Sequence, residues 1–310
     1  MKRQYLVILA TLLGVCGALL ALSGSPGALK SPGVIAAPAE PQQSVLYVAP
    51  GGNCSGEAPC YGSLQAAVQA AVGGDTIKVA QGTYTSQAAQ VLYIDKPVNI
   101  AGGYSLADWN NALPGVRPTI LDAQGADRRG IYINSASPDT IRLSGLTVQG
   151  AAPLEGDHDI SGAGIYVEAG QVEMRGCTIR DNTNTDGGRG AGLYVDSGGN
   201  VSLYNNTFLG NHAAGGGAVC VEGGQLTSSG DSYLENTAFW EGASRVTNGS
   251  VTLEGASIEN NLGGNTGGGI GVIGPATVLI RNSKIQANNS SNDSQGGGGL
   301  YLNDPGAVVT

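Results

Sequence analysis

The chain has 310 residues, of which 52 are glycine, 13% are charged and 41% are hydrophobic. That balance excludes a disordered chain and a charged coiled coil, and the lack of a strict Gly-X-Y period excludes collagen. A formal net charge of −9 argues against a phosphate-backbone partner, so no nucleic acid is expected.

Residues 1–23 read as an export signal. Met1-Lys2-Arg3 carry positive charge, Tyr5 to Leu22 are uncharged, and Ala21-Leu22-Ser23 offers small residues for cleavage. Uncleaved, the same stretch would anchor the chain in a membrane. Either way the remainder is expected outside the cytoplasm, secreted or at the cell surface. Residues 24–44, rich in Pro, Ala, Gly and Ser, read as a flexible spacer. One domain is expected over 45–310. Cys54 and Cys60 bracket a short loop and suit a local disulfide in an oxidising compartment. Cys177 and Cys220 are expected as free thiols. Ser63 is placed to cap a helix with the apolar stripe Leu64, Ala67, Val68 and Ala71, stopped by Gly73-Gly74. Such a helix would cover the open strand edge and bore of a solenoid. Short strands follow near 75–79, 91–94, 98–100, 119–121 and 131–133.

From residue 140 a repeat takes over. GAGIYV at 162–167 returns as GAGLYV at 190, GGAVCV at 216, a degenerate GASRVT at 242, GGGIGV at 267 and GGGLYL at 297. The starts are 25 to 30 residues apart, the period of a solenoid. Within a unit, apolar and polar residues alternate, which specifies strands rather than helices. The fold class is therefore all-β: a parallel β-helix with three-strand coils and a short N-terminal capping helix. Leu143, Met174, Leu203, Leu253 and Ile280 should form one inward stack, interrupted by Ser228. Val148, Ile179, Phe208, Tyr233, Ile258 and Ile285 should form another. Gly145, Gly176, Asn205, Gly230, Gly255 and Asn282 should share a sharp corner, where a left-handed backbone suits Gly and Asn. Asn182, Asn211, Asn236, Asn261 and Asn288 should stack as an amide ladder, each donating to one rung and accepting from another.

Tyr47-Val-Ala-Pro-Gly, Ser63-Leu-Gln-Ala-Ala-Val, Gly74-Asp-Thr-Ile-Lys-Val, Gly82-Thr-Tyr, Gly102-Gly-Tyr-Ser and Leu121-Asp-Ala-Gln-Gly resemble the opening coils of secreted bacterial pectin-lyase-like right-handed β-helix proteins. The glycine blocks and the Phe-x-x-Asn spacing resemble the repeats of chlamydial polymorphic outer-membrane proteins. The resemblance covers about residues 45–310. It implies the fold and export; the superfamily spans lyases, glycosidases, esterases and adhesins, so it does not select an activity. The polymorphic proteins end in a membrane barrel that has no counterpart here. The last glycine block also lacks its Asn partner, so the natural chain is expected to continue, with membrane contact only through the signal, an anchor or that missing region.

Chemistry is expected where the units are longest, in loops between the Asn row and the next glycine block: 151–161, 183–189, 212–215, 237–241, 262–266 and 289–296. They hold Asp157, His158, Asp159, Asp186, Arg189, His212 and Trp240. A pectate-lyase likeness would cast Asp157, Asp159 and Asp186 as carboxylates holding calcium against an acidic sugar, with Arg189 as base. Asp157 and Asp159 are also the candidates for calcium bound for structure alone, and Asp157 with Asp186 for a glycosidase pair. Against these stands the plain reading that Asp and Gly are ordinary loop residues. Tyr166 and Tyr194 should point outward from their strands and, with Trp240 and His158, offer surfaces for a sugar. The favoured reading is an exported scaffold or adhesin-like protein binding an extracellular glycan or surface partner, without a resident cofactor. The alternative is a polysaccharide lyase or glycoside hydrolase.

Overall fold

Residues one repeat apart lie in neighbouring rungs. Ile179 pairs with Phe208, Phe208 with Tyr233, Tyr233 with Ile258 and Ile258 with Ile285, all in parallel register. The computed structural model describes residues 43–153, 160–291 and 296–310. They form an all-β, right-handed parallel solenoid of about nine turns with one α-helix.

One full coil illustrates the path. Ser244–Thr247 and Ser250–Glu254 lie end to end in a 17-stranded first sheet, Ser257–Glu259 in an 8-stranded second sheet and Leu262–Gly263 in a 5-stranded third. The third sheet corrects the expectation of free loops at this corner. Thr183–Arg189, His212–Gly215, Thr237–Ala238, Leu262–Gly263 and Asn289–Ser290 are its strands, joined by bonds such as His212 N–H to the Asn182 carbonyl at 2.9 Å. Backbone groups beside a stacked neighbour find partners there rather than in water.

The bore is apolar. Leu143, Met174 and Leu203 are at most 1% exposed, as are Ile179, Phe208 and Ile258. Each such side chain contributes about 1.5–3 kcal/mol on burial. Phe208 and Tyr233 stack with centroids 5.2 Å apart and planes at 3°. Ser228 breaks the leucine column but remains satisfied. Tyr233 Oη donates to Ser228 Oγ at 2.8 Å, and Ser228 Oγ donates to Asp231 Oδ2 at 2.6 Å. Asp231, fully buried, also accepts from Ser229 N and from both the backbone and side-chain nitrogens of Asn206. Burial pushes its carboxyl up, against the pull of these donors.

The corners follow from backbone conformation. Gly145, Gly176, Asn205, Gly230, Gly255 and Asn282 all have φ between +49° and +68°. The glycine blocks serve close approach as well as turning: a Cβ on Gly192 would lie 2.4 Å from the Ala218 carbonyl of the next coil. Beside them side-chain amides, buried from Asn182 to Asn261 and part-buried at Asn288, form a continuous row. Asn182 Nδ2 donates to Asn211 Oδ1 at 3.0 Å, Asn211 to Asn236 at 2.9 Å, Asn236 to Asn261 at 3.0 Å and Asn261 to Asn288 at 2.8 Å.

At the N-terminal side, helix Leu64–Ala70 starts where Ser63 Oγ accepts from Ala66 N at 3.2 Å. It buries Leu64, Ala67 and Val68 in the common core. Gln65 bonds the backbone of Tyr93 twice, accepting from its N–H at 2.8 Å and donating to its carbonyl at 3.2 Å. The amide side chain thus imitates a neighbouring strand. Cys54 and Cys60 are disulfide-bonded, and the carbonyl of Cys54 accepts from the buried Trp109 indole at 3.3 Å.

Candidate functional site

Outward positions of the first sheet carry a tyrosine row. Tyr93, Tyr132, Tyr166 and Tyr194 succeed one another with ring centroids 5.2–5.4 Å apart. Their hydroxyls reach one coil onward to carboxylates: Tyr132 to Glu168, Tyr166 to Asp196 at 3.1 Å and Tyr194 to Glu222 at 3.0 Å. The Arg129 guanidinium lies over both Tyr132 and Tyr166. The row is therefore occupied by its own chain. Tyr194, expected as an open sugar platform, is only 6% exposed, because its ring packs edge-on against Tyr166 and its hydroxyl is tied to Glu222. Burial, with Glu222 adding, pushes that hydroxyl up. Tyr166 is half-buried for the same reason.

The row stops at Cys220, a buried free thiol pushed up by burial, and at Gly271. Gly271 has a reason: a Cβ there would fall 2.1 Å from Glu241 Cγ. Glu241, fully buried, receives both its oxygens' bonds from Arg245 Nη1, at 3.0 and 2.9 Å, and a third from Thr266 at 3.0 Å. Neither Glu241 nor Arg245 stands out in the sequence, since the pair depends on a glycine one coil later.

Arg189 has its described acidic partner on the next coil of the first sheet. Its Nη1 bonds Glu222 at 2.7 Å. Burial lowers the guanidinium pKa, but Glu222, with Cys220 and Tyr194 adding, leaves the net shift upward. A guanidinium held this way is a poor base. Asp181 pairs with Arg180 at 3.3 Å instead. Asp157, His158 and Asp159, and the side chain of Asp186, lie outside the described residues. Among the described residues no group of three or more His, Cys, Asp or Glu side chains could hold a metal ion.

The third sheet carries the open site. In its register Ala214 lies beside Phe239, and Phe239 beside Gly264, so a large ring rises between two small neighbours. Trp240 follows at once, with centroids 4.9 Å apart and planes at 87°. Phe239 is 58% exposed, Trp240 43% and Leu262 40%. With His212, Ala213, Thr237 and Ala238 they line a cleft of about 520 Å³, within the roughly 300–1,000 Å³ usual for small-ligand sites. His212 Nδ1 is bonded to Thr237 Oγ1, which leaves Nε2 to a ligand. The sequence signal was present: one of two phenylalanines and one of two tryptophans stand adjacent in the 237–241 segment.

Residues 119–244 match a family model described as the right handed beta helix region. Neither the curated proteins nor the solved structures contain a match to the chain. The family match, together with the parallel register of successive coils, identifies the fold as a right-handed parallel β-helix.

Proposed function

We propose that the protein is an exported, adhesin-like β-helix scaffold that binds a glycan on its third sheet. The observation that carries this is the exposed, perpendicular Phe239–Trp240 pair over a floor of small residues. Aromatic faces with few polar groups are what a stacked sugar ring needs. The charged N-terminus with its uncharged run and the Cys54–Cys60 disulfide support export. The pairing of Arg189 with Glu222 supports binding rather than lyase chemistry.

The test is a glycan array probed with the full chain and with Trp240→Ala. Binding by the wild type that falls at least tenfold in the variant, at unchanged melting temperature, is expected. Equal binding by both proteins would place the site elsewhere and end this reading.

A further inference from the structure

The chemistry of the cleft narrows its ligand, granted that it binds glycans at all. We infer that it takes an uncharged glycan displaying an N-acetyl group, not an acidic polysaccharide. No Lys or Arg is among the described side chains lining the cleft, so no permanent cation there pairs with a uronate or sulfate. Nearby cations are already committed, Arg189 to Glu222 and Arg245 to the buried Glu241. The chain as a whole carries −9, which opposes approach of a polyanion.

Shape supplies the positive part. Two rings at 87° form an inside corner rather than a flat platform. A pyranose face can lie on one ring while a methyl group projecting from the sugar meets the other ring and Leu262. A plain hexose offers only hydroxyls at that corner, with no methyl to cover the second ring and Leu262. An acetamido group suits it, because its methyl is apolar and its carbonyl can accept from His212 Nε2. That bond needs the tautomer or charge state that protonates Nε2, with Nδ1 held by Thr237.

The readout is built in. The chain has two tryptophans, and Trp109 is buried with its indole bonded to Cys54. A ligand-induced change in tryptophan fluorescence therefore reports Trp240. Chitotriose, cellotriose and trigalacturonate are titrated into the full chain, into Trp240→Ala and into His212→Ala. Chitotriose is expected to bind at least tenfold tighter than cellotriose, with trigalacturonate not binding. The preference should shrink in His212→Ala, and the signal should vanish in Trp240→Ala. Equal binding of chitotriose and cellotriose, or tighter binding of trigalacturonate, overturns the ligand class while leaving glycan binding intact. Absence of binding by every sugar here and on the array overturns both.

Discussion

The side-chain amide of Asn211 sits in a fully buried corner and takes part in four hydrogen bonds, two accepted from Asn182 and one donated each to Ile179 and Asn236. Truncation would orphan a carbonyl and two donors, each at about 1–3 kcal/mol. Asn211→Ala should therefore lose roughly 3 kcal/mol or more in urea denaturation. Gly192→Ala should be comparably damaging, since its Cβ would press on the Ala218 carbonyl at 2.4 Å, a rigid backbone atom. A folded, undiminished melting temperature in that variant would contradict the close approach. Both positions were legible in the sequence because repetition exposes them: the same residue type returns at the same offset. Glu241 was not legible. Its burial depends on Arg245, Thr266 and the missing side chain of Gly271, which no repeat announces.

Among elements, the stacked columns were readable and the third sheet was not. Its strands Thr237–Ala238 and Leu262–Gly263 have two residues each, too few to show a period of two. Their pairing comes from the coils on either side. The same position dependence hides the second polar row, where Cys177 N donates to Asn206 Oδ1 at 2.9 Å and Asn206 to Asp231. Here a pH test applies. The Asp231 carboxyl is raised in the fold by burial, so the folded state holds its proton more tightly than the unfolded chain. Its contribution is then most favourable below the unfolded value, near about 3.9, and declines as pH rises through the folded value. Compared with Asp231→Asn, the wild type should gain relative stability as denaturation is repeated from pH 7 downward. A constant difference between the two proteins would show that the hydrogen bonds balance the burial. At the helix, Ser63→Ala should cost about 1 kcal/mol in the same assay, the usual loss on removing an N-cap.

Across the whole molecule each coil touches chiefly its neighbours, so stability is a sum of rungs and junctions rather than one indivisible core. Phe208→Ala removes a fully buried ring stacked on Tyr233 and should cost about 3–5 kcal/mol. Hydrogen exchange should lose protection mainly in the coils adjoining Phe208, with Ile131–Ile133 and Val278 little changed. Uniform loss along the chain would refute this modular account. The Phe239–Trp240 corner has a further consequence. On adjacent turns Phe239 is matched by Ala214 and Gly264, and Trp240 by Gly215 and Asn265, so the solenoid repeats its backbone there but not its aromatic surface. Among the described residues this face therefore carries a single such aromatic corner, and the proposed glycan site would be one per described solenoid. Lengthening a polymeric ligand should raise apparent affinity only in proportion to the epitopes it carries. Any avidity must come from crowding several copies on one support.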